Sequence, residues 1–275
     1  ELLNTKAVEG TGYVTFSASS EDLLRIAFLG QSIERVISII DEFESDDIIS
    51  EMTTRAPKWP IQKPYSTWCS RSGDHDFSSS DVYSTFAETI GNPSYKVKAG
   101  SIAVIIRNNH CFVGVDIAGV DTSKRDYKVF ANRFSLKGPL AYCLVRLTGV
   151  KEGTVIDPYS RDGTIAIEAA LFAKGQGPNK FRTREFPKGI EKVMVTPEAK
   201  KLKVISSDSM NSNLQAAKKN ATIAQVHREV QVRHYPVQDL DWRLNEPIDA
   251  IITSVNAPTE EFWKVAPKIF EESGI

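Results

Sequence analysis

The sequence is poor in the residues that build stapled, metal-bound or membrane-spanning proteins. Of 275 residues, three are cysteines and four are histidines. Cys69, Cys111 and Cys143 lie far apart with no Cys-x-x-Cys spacing, so neither a zinc site nor a disulfide framework is indicated, and no metal is expected. No apolar run approaches the roughly 20 residues needed to cross a bilayer, and no signal-peptide pattern opens the chain. These absences point to a soluble cytoplasmic protein with free thiols. Charge of one sign is lacking as well: 34 Lys and Arg face 35 Asp and Glu, for a formal net charge of −1. Nothing global draws the chain toward nucleic acid, so any RNA contact has to come from local patches.

What is present is enough apolar residue, 41% of the chain, to fill two cores of ordinary size. Residues 11–17 alternate like a strand, Ser20-Glu21-Asp22 caps a helical run to Leu29, and Arg35–Ile40 returns as a strand. This predicts a small α+β region over 1–56. Residues 56–76, rich in Pro, Ser and Trp, suit a connection with one edge strand, and a boundary is placed near Pro57. A second unit over 57–120 has a helix from Ser80 to about Ile90 and two strands, Ser101–Arg107 and His110–Ile117, around an Asn108-Asn109 hairpin turn. Residues 121–137 then interleave Lys124, Arg125, Lys128, Arg133 and Lys137 with Tyr127, Phe130 and Phe134. That mixture suits phosphate binding and base stacking, or a solvated interdomain linker.

From Gly138 to Ile275 strands and helices alternate regularly, the pattern of a parallel sheet covered on both faces. Strands are expected at 154–156, 202–206, 230–234 and 250–253. In such sheets ligands bind beyond the carboxyl ends of the strands. The first strand runs into Asp157-Pro158-Tyr159-Ser160-Arg161-Asp162-Gly163-Thr164 at a helix start, where backbone N–H groups meet anions. The second ends at Asp208, placed either to accept the hydroxyls of a ribose or to cap the next helix.

These residues resemble the THUMP-containing RNA guanine-N2 methyltransferases. The resemblance rests on Asp126-Tyr127, Lys137-Gly138-Pro139-Leu140, Leu147-Thr148-Gly149-Val150, the Asp-Pro-x4-Gly-Thr turn at 157–164, Gly177-Pro178-Asn179, Ser206-Ser207-Asp208 and Asn213-Leu214-x-Ala216-Ala217-x2-Asn220-Ala221. Upstream, Gly114–Gly119 looks like the closing strand of a THUMP domain. The resemblance implies an N-terminal α+β region, THUMP-like with a ferredoxin-like remnant, joined to a Rossmann-like class I methyltransferase domain. It implies S-adenosylmethionine held by Asp157, Tyr159, Gly163, Thr164 and Asp208, and a structured tRNA or rRNA whose guanine N2 amine is methylated.

Three segments depart from the family pattern. Arg161 and Asp162 stand where the family has Gly and Ser, bringing two charges into a turn that ligands approach closely. Pro236 replaces the adenine-side acid, and Asp239, three positions further on, is the candidate cofactor-binding residue to substitute for it. In the catalytic loop, whose family form is Asn-Pro-Pro-Tyr, strict register puts Ser254 at the Asn; a two-residue slip makes Asn256-Ala257-Pro258 the counterpart. Candidate catalytic residues are therefore Ser254, Asn256 and Pro258.

Two readings follow: an active RNA methyltransferase, or a catalytically inactive relative that binds RNA or serves as a subunit of a complex. A nicotinamide enzyme is disfavoured because the first loop lacks Gly-x-Gly-x-x-Gly. His227 and His234 have no nucleophile elbow to serve. The chain opens on Glu1 and stops at Ile275 within an amphipathic run, so a further C-terminal segment or a protein partner is expected to complete the sheet.

Overall fold

The computed structural model describes residues 5–94, 101–119, 121–180, 182, 186, 190, 199–255 and 259–271. The chain divides into two units, one of residues 1–28, 35–121 and 182–194, the other of 29–34, 122–181 and 195–275.

In the first unit a short antiparallel hairpin, β1 (Ala7–Gly10) and β2 (Tyr13–Phe16), precedes helix α1 (Ser20–Leu29). The helix is opened by Ser19, whose Oγ accepts from the Asp22 backbone at 3.1 Å and donates to its carboxylate. Then follow β3 (Ile37–Glu44), α2 (Ile48–Arg55), β4 (Thr67–Ser72), α3 (Ser79–Thr89), β5 (Ser101–Arg107) and β6 (His110–Asp116). The four strands pair in the order β3-β6-β5-β4, antiparallel except for β4 beside β5. Asn108, at φ 55°, turns the β5–β6 hairpin as its sequence suggests. Phe86, Met52, Val82, Val104 and Ile106 are fully buried between the sheet and helices α2 and α3.

The division expected near Pro57 does not appear. β3 lies on the 1–56 side of it, yet pairs with β6 from Ile37↔Asp116 to Glu44↔His110. Periodicity along the chain reports that each strand exists but not which distant strand satisfies its backbone groups. α2 has no counterpart in the sequence pattern described above; Asp47 caps it by accepting from the Ser50 backbone.

The second unit contains α4 (Gly138–Leu147), β7 (Gly153–Asp157), α5 (Thr164–Ala173), β8 (Leu202–Ser207), α6 (Asn211–Ile223), β9 (Val230–Arg233), α7 (Leu240–Arg243), β10 (Ala250–Ile251) and α8 (Glu260–Glu271). A 3-10 turn at Val237–Asp239 leads into α7. The strands form a parallel sheet in the order β10-β7-β8-β9, the α/β architecture expected for 138–275. α5 is apolar nearly all round, and all ten of its residues are buried.

The segment 121–137 is no solvated linker. Thr122, Ser123, Arg125 and Tyr127 are buried, and residues 122–137 belong to the second unit. Arg125 is the reason: its Nε donates to Glu168 Oε1 at 2.7 Å, Tyr127 donates to the same oxygen at 2.7 Å, and Gln31 Nε2 donates to Oε2 at 2.8 Å. A carboxylate buried on α5 needs these donors, and together they hold the segment against the helix.

Candidate functional site

Adjacent parallel strands bring the motif residues to one place. β7 and β8 are in register from Gly153↔Leu202 to Asp157↔Ser206, so Asp157 and Asp208 emerge side by side at the carboxyl edge of the sheet. The turn between β7 and α5 closes over them. Ser160 N donates to Ser207 O at 2.9 Å, the Ser160 and Ser206 hydroxyls bond to each other, and Arg161 N donates to Asp208 Oδ2 at 3.0 Å. Gly163 starts α5 at φ 81°, and a Cβ there would meet Ala217 Cβ at 2.9 Å. Only glycine lets α5 and α6 approach this closely while the turn reverses.

Asp157 is buried and accepts from Thr253 Oγ1 at 2.8 Å and Tyr159 N at 3.1 Å. Burial outweighs these bonds and pushes its carboxyl up to about 7. Asp208 is also buried, accepting from Arg161 N, from Met210 N at 2.8 Å and from Asn213 Nδ2 at 3.0 Å. It is not the N-cap of α6, a place taken by Met210. Ser135, Leu136, Asp157, Tyr159, Ser160, Arg161, Asp162, Thr164, Ile165 and Ser254 line the cleft at this edge. Ser135 Oγ is buried without a hydrogen-bond partner among the described residues, as is Ser207 Oγ. The orphaned Ser135 hydroxyl, with the Asp157 carboxylate and the Arg161 guanidinium in the same cleft, suits a polar ligand bearing both charges, so the residues present fit S-adenosylmethionine; Asp208 and Gly163 are not themselves among the residues lining the cleft.

The departures in the turn behave differently from each other. Asp162 does not crowd the cleft; its carboxylate is fully buried, accepting from Asn132 N at 3.0 Å and Thr164 Oγ1 at 2.7 Å, with Lys128 Nζ at 3.6 Å. Asn220 completes this anchor, accepting from Phe130 N at 3.0 Å and donating to the carbonyls of Phe130 and Asp162. Residues 130–134 are thereby tied to the turn. No periodicity signals such a role; the Asn220-Ala221 pair was visible only as part of the family pattern.

Of the other candidates, Ser254 reaches the cleft, whereas Asn256 and Pro258 lie outside the described residues. Asp239 is not among the cleft residues and pairs with Arg243 at 3.2 Å, one helical turn on. Two of the five cations proposed for RNA are committed inside the protein. Arg125 is buried against Glu168, and Lys128 Nζ donates to Leu136 O at 2.6 Å. Lys124 and Arg133 are exposed, Arg133 stacking on Phe134, and Lys137 is exposed beside Glu34 at 3.1 Å. Among the described residues there is no cluster of metal-ligating side chains, and no helix is long and apolar enough to cross a membrane.

Known proteins share this architecture. Over 277 aligned residues the chain is 27% identical to the tRNA (guanine(6)-N2)-methyltransferase of Methanocaldococcus jannaschii, covering 90% of this chain and 72% of that protein. It is 28% identical over 184 residues to the ribosomal RNA large subunit methyltransferase K/L of Buchnera aphidicola, covering 60% of this chain but 26% of that protein. The crystal structure of a possible methylase from Clostridium difficile 630 superposes with a TM-score of 0.76 at 19% identity, over 98% of this chain and 79% of that one, which shows the fold. The family model UPF0020, RMKL-like methyltransferase domain, matches residues 125–258. Its match begins at Arg125, the residue that ties the supposed linker to α5, and takes in the carboxyl edge where Asp157 and Asp208 meet; over residues 125–258 the chain is similar to the RMKL-like methyltransferase domain family.

Proposed function

We propose that the chain is an S-adenosylmethionine-dependent RNA methyltransferase acting on the exocyclic N2 amine of a guanine in tRNA or rRNA. The observation that carries this reading is the convergence of Asp157, Asp208 and the turn 159–163 at the carboxyl ends of two neighbouring parallel strands. The names of the relatives supply the chemistry: both methylate RNA, and one is a guanine-N2 enzyme.

The cofactor supplies a methyl group activated on a sulfonium, so the protein's part is orientation and exclusion of water. Asp157, ionised, offers its charge to the cationic methionine end. Asp208 accepts the ribose hydroxyls; a carboxylate has about four lone-pair positions, and the chain itself uses three. Tyr159 and Thr164 line the cleft, and Gly163 serves by letting the turn between them reverse. Ser254, with Asn256 and Pro258, accepts hydrogen bonds from the guanine amine and so leaves its lone pair directed at the methyl carbon. A guanine that is paired in the RNA has to flip out to reach them.

The mixed sheet of the first unit serves as the THUMP-like RNA-binding region, with Lys124, Arg133 and Lys137 as further phosphate contacts. The outer edge of β10 is unpaired among the described residues, and a strand from a partner protein would satisfy it. The cytoplasm, where tRNA and rRNA substrates are reached, is the proposed place of action.

Calorimetric titration with S-adenosylmethionine, followed by tritiated methyl transfer to unmodified tRNA and rRNA and nucleoside analysis, tests this. N2-methylguanosine is the expected product. A folded chain that retains RNA yet binds no cofactor would instead be the inactive relative.

A further inference from the structure

At Arg161 a long cationic side chain occupies a backbone conformation that suits glycine. Its φ is 51°, in the left-handed region that residues bearing a Cβ enter at a cost. Its backbone N–H bonds Asp208 Oδ2 at 3.0 Å, a contact that glycine would make equally well, so the side chain is not needed to close the turn. The guanidinium instead donates from Nη1 to the Phe134 carbonyl and lies 5.7 Å from the centre of the Phe134 ring. Of its five N–H donors, the described residues use one.

Among the described residues lining the cleft Arg161 is the one cation, and two carboxylates share the cleft with it. They are not equivalent. Asp162 is saturated by Asn132, Thr164 and Lys128. Asp157 accepts only from neutral groups, the Thr253 hydroxyl and the Tyr159 amide. The cleft thus offers a ligand one guanidinium with free donors and one carboxylate without a bound cation, the complement of a zwitterionic amino acid.

We propose that Arg161 is the anion-binding residue of the cleft, its guanidinium receiving the carboxylate of the cofactor's methionine end while Asp157 supplies the charge opposite the ammonium. This rests on the cofactor reading above. A planar fork suits a carboxylate, and the strained backbone is retained because glycine, which would relieve it, brings no cation.

The test compares two ligands on the full chain by calorimetry: S-adenosylhomocysteine, which carries the amino-acid end, and 5′-methylthioadenosine, which lacks it. Arg161→Gly, which also relaxes the backbone, is expected to weaken S-adenosylhomocysteine about 10- to 100-fold, as for loss of a charged hydrogen bond. The same variant should bind 5′-methylthioadenosine as the unaltered chain does, and Arg161→Lys should recover part of the loss. Equal weakening of both ligands would overturn the proposal by making Arg161 a support for the turn, and so would undiminished S-adenosylhomocysteine binding. If the unaltered folded chain binds neither ligand, the cofactor reading itself falls, and this inference with it.

Discussion

In the mixed sheet β3-β6-β5-β4, Asp116 is fully buried and meets a cation directly: Arg35 pairs with it, while Trp68 Nε1 and Gly119 N donate to it at 3.2 and 3.1 Å. In the parallel sheet β10-β7-β8-β9, buried polar residues collect at one end, where Ser160, Asp162, Thr164, Ser206, Ser207 and Asp208 surround Asp157, and Asp157 has only neutral donors. Burial raises both carboxyls above the ordinary range. The difference lies in what completes them. Asp116 has its counter-charge bonded to it within the chain, whereas Asp157 has Arg161 near enough to act on it but no cation bonded to it, which is what its proposed ligand-binding role requires.

The widest separation of the two regions should come from their cores. Phe86→Ala, in the first, is expected to lower unfolding free energy by about 3–5 kcal/mol without weakening cofactor binding by the folded fraction, as read by urea titration and calorimetry. Loss of cofactor affinity beyond the unfolded fraction would break the comparison. Glu168→Ala strands the buried Arg125 guanidinium and should cost a similar amount, about 3–5 kcal/mol, showing that the second unit also has a purely structural acid.

Asp208→Ala should reverse the balance. It leaves Arg161 N and Met210 N without their acceptor, a loss of about 1–3 kcal/mol, and abolishes measurable S-adenosylmethionine binding. A pH series sharpens the contrast further. The folded state holds the Asp157 proton more tightly than the unfolded chain, so this group's effect on stability declines as pH rises from 3.8 to about 7 and is level above that. Cofactor affinity should move the other way, strengthening through about pH 7 as the carboxylate forms, and Asp157→Asn should flatten both profiles. The smallest effects belong to the exposed cations. Arg133→Ala and Lys137→Ala should change stability by no more than about 0.5 kcal/mol, yet each should weaken RNA binding evenly across sequences and reduce the salt slope by about 1.

Where the sequence carries a regular period or a fixed motif, the structure follows it closely. β5 occupies Ser101–Arg107 as expected, α3 agrees to within a residue or so, and β7 and β8 deliver Asp157 and Asp208 to a common edge. The readings that failed depended on contacts between residues far apart. Arg125 looked like a phosphate ligand because its partner, Glu168, is 43 positions away on a helix. Asp162 looked like an obstruction because the Asn132 amide it serves lies 30 positions upstream. Arg161 and Asp162 are adjacent and both charged, and nothing in their order says that one turns inward and the other remains at the cleft.

The sequence by itself determined the alternation of strands and helices after Gly138, the glycine at 163 and the acids at 157 and 208, since hydrophobic period and turn chemistry act over a few residues. Tertiary structure alone decided that β3 joins β6, that Arg125 and Tyr127 are held against α5, and which charges are spent internally. Each of those outcomes is set by a donor finding its acceptor across dozens of residues, an encounter that exists only once the chain has folded.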